Sequence, residues 1–288
     1  MKPAPFEYHA PESVADAVGV LAAHGDEAKP LAGGQSLVPM LALRLARFEH
    51  LVDLNRVGQL AEVARDDGAV LVGAMTRQAT LERDDHARAV PLLGRAAPLI
   101  GHFQIRNRGT VGGSIAHADP ASELPAVALA LDADLLVAAA DRTRVIPAGE
   151  FFAGNWTTVL EPDELLTAIR FPVWEGRSGF AVEEVARRHG DFALAGAACG
   201  VTLRGDGAIE RAAIALFGMG STPLRAPAAE ATLMGRRGSP AELAEVGQLA
   251  VQDLEPPDDV HASSRYRRAV GAHIVALALS AAVREASA

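Results

Sequence analysis

AKPLAGGQSLVPMLALRL, residues 28–45, decides the fold. A short apolar run is halted by Gly33 and Gly34, which reads as a buried strand turning sharply. Ser36 is placed to cap a second helix, with Pro39 in its first turn and Leu41, Leu43, Leu45 and Phe48 along it. Strand, Gly-Gly turn and helix is a plan with chemical consequences. Glycine has no Cβ, so a ligand can touch the main chain there, and successive N–H groups are free to face phosphate oxygens. A helix start adds its positive dipole end, and Ser36 adds a hydroxyl donor.

A second stretch repeats the pattern. QIRNRGTVGGSIAHADPASELPA, residues 104–126, carries Thr110-Val111-Gly112-Gly113-Ser114, a DP step at Asp119-Pro120 and an acidic side chain at Glu123. Two anion-binding turns from separate parts of a chain are what a long dinucleotide lying in a crevice requires. Two ordinary tight turns would leave the same letters. Neither matches GxxxxGK[ST] or GxGxxG, which disfavours a kinase or an ordinary nicotinamide enzyme.

Outward from these stretches, Ser13 and Asp16 form a capping pair for a helix marked by Val14, Ala17, Val18 and Leu21, ending at Gly25. HLVDL (50–54) and GAVLVGAM (68–75) read as strands, and a helical run follows from about Thr80 to Leu99, broken near Pro91. LLVAAA, RTRVIPA and ELLTAIRFP are strand-like, and Glu175 to Ser178 marks a boundary. AVEEVARR, ALAGAACGVTL and AIERAAIALFG form an antiparallel meander, the last pair joined by Gly205-Asp206-Gly207. Arg187 and Arg188, at the end of the first of these, are expected to point one inward and one to solvent. Helices over about 226–234, 240–254 and 263–285 then cover one sheet face.

Composition narrows the function. The 288 residues, divided by roughly 150 per domain, suggest about two domains. A formal charge of −9 argues against nucleic acid or an anionic membrane surface as the main partner. The apolar stretch Ala269 to Val283 is shorter than the roughly 20 residues of a membrane span, and MKPAPFEYHAPES lacks a signal's apolar core, so a cytoplasmic protein is expected. Cys199 is the one cysteine, set in an apolar run as a core residue, and it cannot furnish an iron–sulfur cluster. The nine histidines are scattered without an HExxH spacing, so no metal ligands are assigned. Redox metals must therefore sit on other chains.

Taken together, PLAGGQSLVPMLALRL with HLVDL, the 104–126 stretch, ELLTAIRFP and VARRHGDFALAGAA resemble the FAD-binding subunit of molybdenum hydroxylases, the xanthine dehydrogenase family. The medium subunit of aerobic carbon monoxide dehydrogenase is the nearest likeness within it, and FGMGSTPLRAPAAEATLMG (217–235) extends the resemblance along the chain. The resemblance implies an α+β architecture. Residues 1–176 would form a two-subdomain FAD-binding domain of the vanillyl-alcohol-oxidase/PCMH-like class, split into about 1–55 and 56–176. Residues 177–288 would form a CO dehydrogenase flavoprotein-like domain with a small antiparallel sheet and a helical bundle.

The same resemblance implies that FAD is gripped by Ala32, Gly33, Gly34, Gln35, Ser36 and Leu37, and by Thr110, Val111, Gly112, Gly113 and Ser114. Ala118, Asp119 and Glu123 follow as cofactor contacts, with Leu166 near the adenine or flavin end and Phe192 beside the isoalloxazine ring. Related oxidases that attach flavin covalently use a histidine where this chain has Gln35, so non-covalent FAD is expected. Glu183 stands near a lysine position of the eukaryotic xanthine dehydrogenases, so NAD is not assumed as acceptor. A small subunit with two-iron two-sulfur clusters and a large molybdopterin subunit are implied as partners, in a dimer of heterotrimers. Electrons would leave to a quinone, oxygen or another external acceptor, with peripheral attachment to the inner face of the membrane as one way of reaching it.

Other residues have competing roles. His117 beside Asp119 has the make-up of an acid–base pair, and His117 or His189 would be the base of a self-contained FAD oxidase or dehydrogenase. Positioning of FAD or backbone capping is the simpler duty for both. Arg106 and Arg108 flank Asn107 as candidates to neutralise a diphosphate or to dock the loop. No catalytic residue is assigned. A flavin-free assembly protein retaining the fold is the third reading.

Overall fold

The computed structural model describes residues 2–288. The N-terminal part contains β1 (Glu7–His9), α1 (Val14–His24), β2 (Ala28–Leu31), α2 (Leu37–Ala42) and β3 (His50–Asp53), with the strands parallel in the order β1-β3-β2. Ser13 Oγ accepts the Asp16 N–H at 3.1 Å, and α1 buries Ala17, Val18 and Leu21, as its spacing predicts. The helix expected through Phe48 is shorter. It stops at Ala42, because Arg44 takes a left-handed φ of 59° and Leu43 and Leu45 face solvent instead of forming a stripe. Ser36 does not cap it.

The middle of the chain supplies β4 (Val63–Asp66), β5 (Ala69–Gly73), α3 (Pro91–Ala96), α4 (Phe103–Arg106), α5 (Val111–His117) and α6 (Glu123–Ala130). It continues with β6 (Asp134–Ala138), β7 (Thr143–Pro147), α7 (Ala148–Phe151), β8 (Phe152–Gly154), β9 (Thr157–Thr158) and β10 (Leu165–Pro172). Five of these strands form an antiparallel sheet in the order β4-β5-β10-β6-β7. Of the helical run expected from about Thr80 to Leu99 with a break near Pro91, only the part after the break is an α-helix. Tight 3-10 turns at 78–82 and 87–89 precede α3, and Pro91 opens that helix at N1, where its missing N–H costs nothing.

The C-terminal part is a four-stranded antiparallel sheet of β11 (Arg177–Ala186), β12 (Ala193–Leu203), β13 (Ile209–Phe217) and β14 (Leu224–Arg225), with α8 (Pro227–Leu233), α9 (Pro240–Val251) and α10 (Ser264–Ser287) on one face. Every residue of β12 is buried, which explains its unbroken apolar reading. Ala195, Ala197, Cys199 and Val201 pack beneath the helices, while Ala198 on the opposite face joins the core built around α3 and α6. Both faces are thus covered, one of them by the preceding part of the chain. Arg95 pairs with Glu285 at 2.6 Å and Arg225 donates to the Leu129 carbonyl at 2.9 Å, tying the parts together.

Two further expectations change. The strand β11 ends at Ala186, so Arg187 and Arg188 both lie exposed in the following bend and meet His261 and Asp191. The C-terminal helix runs for 24 residues, longer than the charge-free stretch inside it, and by length and composition is apolar enough to cross a membrane. Here Ile274, Val275, Ala278 and Leu279 pack it onto the C-terminal sheet.

Candidate functional site

The strands β2 and β3 end side by side, and the chain leaving β2 lines a cleft of about 390 Å³. Ala32, Gly33, Gly34 and Gln35 form one wall, Asp53 and Asn55 another, and Arg108 reaches it from the second motif. Ser36 and Leu37 carry the wall into α2. Gly34 needs the left-handed φ of 71° that permits the turn. Gly33 is required for a different reason, since a Cβ there would collide with the carbonyl of Arg108 and the Cα of Gly109. The two motifs, distant in sequence, therefore touch through their backbones.

A polar clamp holds them so. Asn55 Nδ2 donates to the Ala32 carbonyl at 3.0 Å, and its Oδ1 accepts from Arg77 at 2.6 Å, while the same guanidinium donates to the Arg108 carbonyl. Partial burial works against charge on Asp53, but hydrogen bonds from Tyr8 and Asn55 and the nearby Arg108 hold its carboxyl below the usual range. Asn55 and Arg77 were not legible as site residues. The only sequence signal is an Asn two residues past the end of β3, a position suited to a turn.

The two Gly-Gly elements differ. Among the described residues, the N–H groups of Gly33, Gly34, Gln35 and Ser36 donate to nothing, and the Gln35 side chain turns back to the Gly33 carbonyl at 3.0 Å. Thr110 to Ser114 is not a second turn of that kind. Thr110 caps α5, and Gly112 and Gly113 lie in the first turn of that helix. The N–H groups of Val111, Gly112, Gly113 and Ser114 are taken by Thr76 O, Ala74 O, Thr110 Oγ1 and Thr110 O, at 2.9 to 3.1 Å. These glycines serve packing. A Cβ on Gly112 would enter the Ala74 backbone, and one on Gly113 would lie 2.6 Å from Thr110 Oγ1 and 3.4 Å from the Ala32 Cβ. These four amides thus already have protein partners, and the segment abuts the first motif through packing.

Beyond α5, Ala118 is left-handed and ends the helix. Asp119 is fully engaged, accepting from the Ala121 N–H at 2.9 Å and from Trp156 Nε1 at 3.1 Å, so it does not orient His117. Burial lowers the His117 imidazole, with Asp119 opposing that shift and Lys29 adding to it. Glu123 opens α6 at only 7% exposure. Burial first, then the neighbouring Glu184 carboxyl, push it up to about 8, and burial raises Glu184 to about 7. Glu184 Oε2 is buried without a hydrogen-bond partner. Two carboxyls in one low-dielectric site hold protons that water would remove.

The remaining assigned residues lie apart from the cleft. Leu166 is buried in β10 beside a bulge and belongs to the main core. Phe192 is 66% exposed between β11 and β12. Its loop leans on the approach to the second motif, since a Cβ on Gly190 would lie 2.9 Å from His102. Of the two arginines, Arg106 is structural, paired with Glu82 at 2.7 Å and bonded to the Ile100 and Gly101 carbonyls. Arg108 makes no ion pair among the described residues, and it is the one facing the cleft.

A cleft with free amides, a free guanidinium and a glycine cradle has the donor set that a diphosphate requires. The FAD binding domain in molybdopterin dehydrogenase matches residues 4–174, and the CO dehydrogenase flavoprotein C-terminal domain matches residues 180–282. Subunit alpha of the 6-hydroxypseudooxynicotine dehydrogenase complex of Paenarthrobacter nicotinovorans is 43% identical, over 99% of this chain and 97% of its own. The carbon monoxide dehydrogenase medium chain of Hydrogenophaga pseudoflava is 38% identical over 98% of each chain. A solved structure of that organism's enzyme superposes with a TM-score of 0.96 at 40% identity, covering 99% of both chains. Quinoline 2-oxidoreductase from Pseudomonas putida 86 superposes at 0.95 and 35% identity, covering 100% of both chains. The chain belongs to the FAD-binding flavoprotein family of the molybdopterin dehydrogenases, with a FAD-binding domain followed by a CO dehydrogenase-type flavoprotein C-terminal domain.

Proposed function

We propose that this chain is the electron-transferring FAD subunit of a molybdenum hydroxylase, receiving electrons from a two-iron two-sulfur subunit and passing them to an external acceptor. The observation that carries the reading is a row of four N–H groups, Gly33–Ser36, with no acceptor among the described residues, on a segment whose Gly33, Gly34 and Gln35 line the cleft that Arg108 shares. When bound, FAD supplies the exchange of electrons between such centres, and the protein supplies position and electrostatics. Residues 32–37 would hold the diphosphate, with Arg108 balancing its charge. The hydroxyl of Ser114 and the tight packing of Thr110, Val111, Gly112 and Gly113 would shape the flavin side. Ala118, Asp119 and Glu123 would lie along that side, with Leu166 behind it and Phe192 at its rim. Glu123 and Glu184, holding protons near neutral pH, would keep negative charge away from the ring.

Binding would be non-covalent, as Gln35 stands where oxidases that attach flavin covalently carry a histidine. The division at about residue 176, the split of the first part near residue 55 and the PCMH-like class follow the same reading. So do a molybdopterin subunit, a dimer of heterotrimers and a cytoplasmic setting. The relatives' names span carbon monoxide, quinoline and a nicotine derivative, which accords with a substrate bound on another chain. The test is to mix the flavin-loaded chain with the substrate of its neighbouring molybdenum enzyme, with and without the partner subunits. Flavin bleaching only in the complete complex is expected. Bleaching by the isolated chain would instead establish a self-contained dehydrogenase.

A further inference from the structure

Three of the histidines that look scattered in sequence converge in space. His9 ends β1, His24 ends α1 and His50 opens β3. One ring nitrogen from each lies within 4.8 Å of the other two, and His9 Nε2 is 3.1 Å from His50 Nδ1. The rings of His24 and His50 stack with centroids 3.6 Å apart. Glu7 Oε2 lies 3.6 Å from His50 Nδ1, on a side chain 67% exposed and free to swing. Apart from these contacts the three imidazoles make no side-chain hydrogen bond among the described residues.

We propose that His9, His24 and His50, with Glu7 closing the fourth position, form a binding site for a divalent transition-metal ion of the zinc type. Zinc–nitrogen bonds of 2.0–2.1 Å place neighbouring ligands of a tetrahedron roughly 3.3 Å apart. The His9–His50 pair already stands near that spacing, and His24, whose ring nitrogen lies within 4.8 Å of both, joins by a rotation that unstacks its ring from His50. Imidazoles select zinc, cobalt, nickel or copper over magnesium and calcium, which take oxygen ligands. Carboxylate oxygens of Glu27 and Glu49 lie within 4.8 Å of a His50 ring nitrogen and add negative potential that draws a cation. The ligands come from two strands and a helix end, so a bound ion would staple the N-terminal sheet.

The test uses the full chain, stripped with a chelator and dialysed against zinc chloride in competition with a chromophoric chelator. One zinc per chain is expected, together with a higher melting temperature. Cobalt chloride should give the intense visible bands of four-coordinate geometry. His9→Gln, His24→Gln and His50→Gln should each weaken zinc binding by at least roughly a hundredfold, since a structural site spreads its affinity over few ligands. His86→Gln should leave it unchanged, and flavin content should persist in all four variants. Absence of stoichiometric uptake by the folded wild-type protein would overturn the proposal. So would a weak six-coordinate cobalt spectrum, or His24→Gln and His50→Gln variants that bind zinc as tightly as wild type. None of these results bears on whether the cleft holds FAD.

Discussion

Gly33-Gly34 and Gly112-Gly113 share two letters and do opposite work. At the first pair the amides are open and the absent side chains let two loops touch beside a cleft. At the second the amides are closed into a helix, and the absent side chains let that helix lie on Ala74 and Ala32. A Gly-Gly pair marks a place where the backbone must be approached closely. Whether ligand or protein approaches depends on which hydrogen bonds the neighbours have already taken.

Paired substitutions sharpen the contrast. Gly33→Val should have the largest effect on flavin, lowering affinity by at least about a hundredfold, because the new side chain forces apart the loops that frame the cleft. Gly112→Val should instead lower stability by about 1–3 kcal/mol through overpacking against Ala74, read as a fall in melting temperature. Flavin titration and thermal melts of both variants check the pair. Equal flavin loss at equal stability would erase the distinction.

The clamp and the free cation come next. Asn55→Ala removes the bridge between the Ala32 carbonyl and Arg77 and should weaken flavin binding by about tenfold, as expected for a hydrogen bond to a charged group. Arg108→Met should weaken it by a similar factor and also flatten its dependence on salt, because the lost contribution is electrostatic. Isothermal titration at two ionic strengths separates these outcomes. Arg106→Met, in contrast, should reduce stability and leave the salt dependence intact.

A pH-dependent effect concerns Glu123. Its carboxyl, ordinarily near 4.5, titrates at about 8 in the fold. Below about pH 4.5 it is protonated whether the chain is folded or not. As the pH rises, the unfolded chain releases that proton first, so the stability of the flavin-free protein should fall progressively until about pH 8. Glu123→Gln should flatten this slope in urea denaturation measured from pH 5 to 8. An unchanged slope would remove Glu123 from the account.

Much of this was legible in the residues. Ser13 and the Val14–Leu21 spacing specify α1, and the apolar run 193–203 specifies a strand, whose cover on the second face only the structure reveals. The first glycine pair is legible because a strand ends there. The second misleads, because glycine signals a turn locally, whereas Thr110 as cap and Ala74 as neighbour make a helix the better solution. The run 80–99 has helical composition, but before Pro91 it breaks into tight turns whose apolar residues Leu81 and Ala87 are satisfied by tertiary burial. Asn55 with Arg77, and the three histidines, were invisible for another reason. Their partners lie 22 or more and 15 or more positions away, and no local spacing encodes such meetings.

Amide hydrogen exchange, followed with and without FAD, tests the central claim most directly. The N–H groups of Gly33–Ser36 should exchange rapidly in the flavin-free protein and become protected when FAD binds, while those of Val111–Ser114 should be protected in both states. Protection at 33–36 that ignores FAD, or exchange at 111–114 that is fast until FAD arrives, would contradict it.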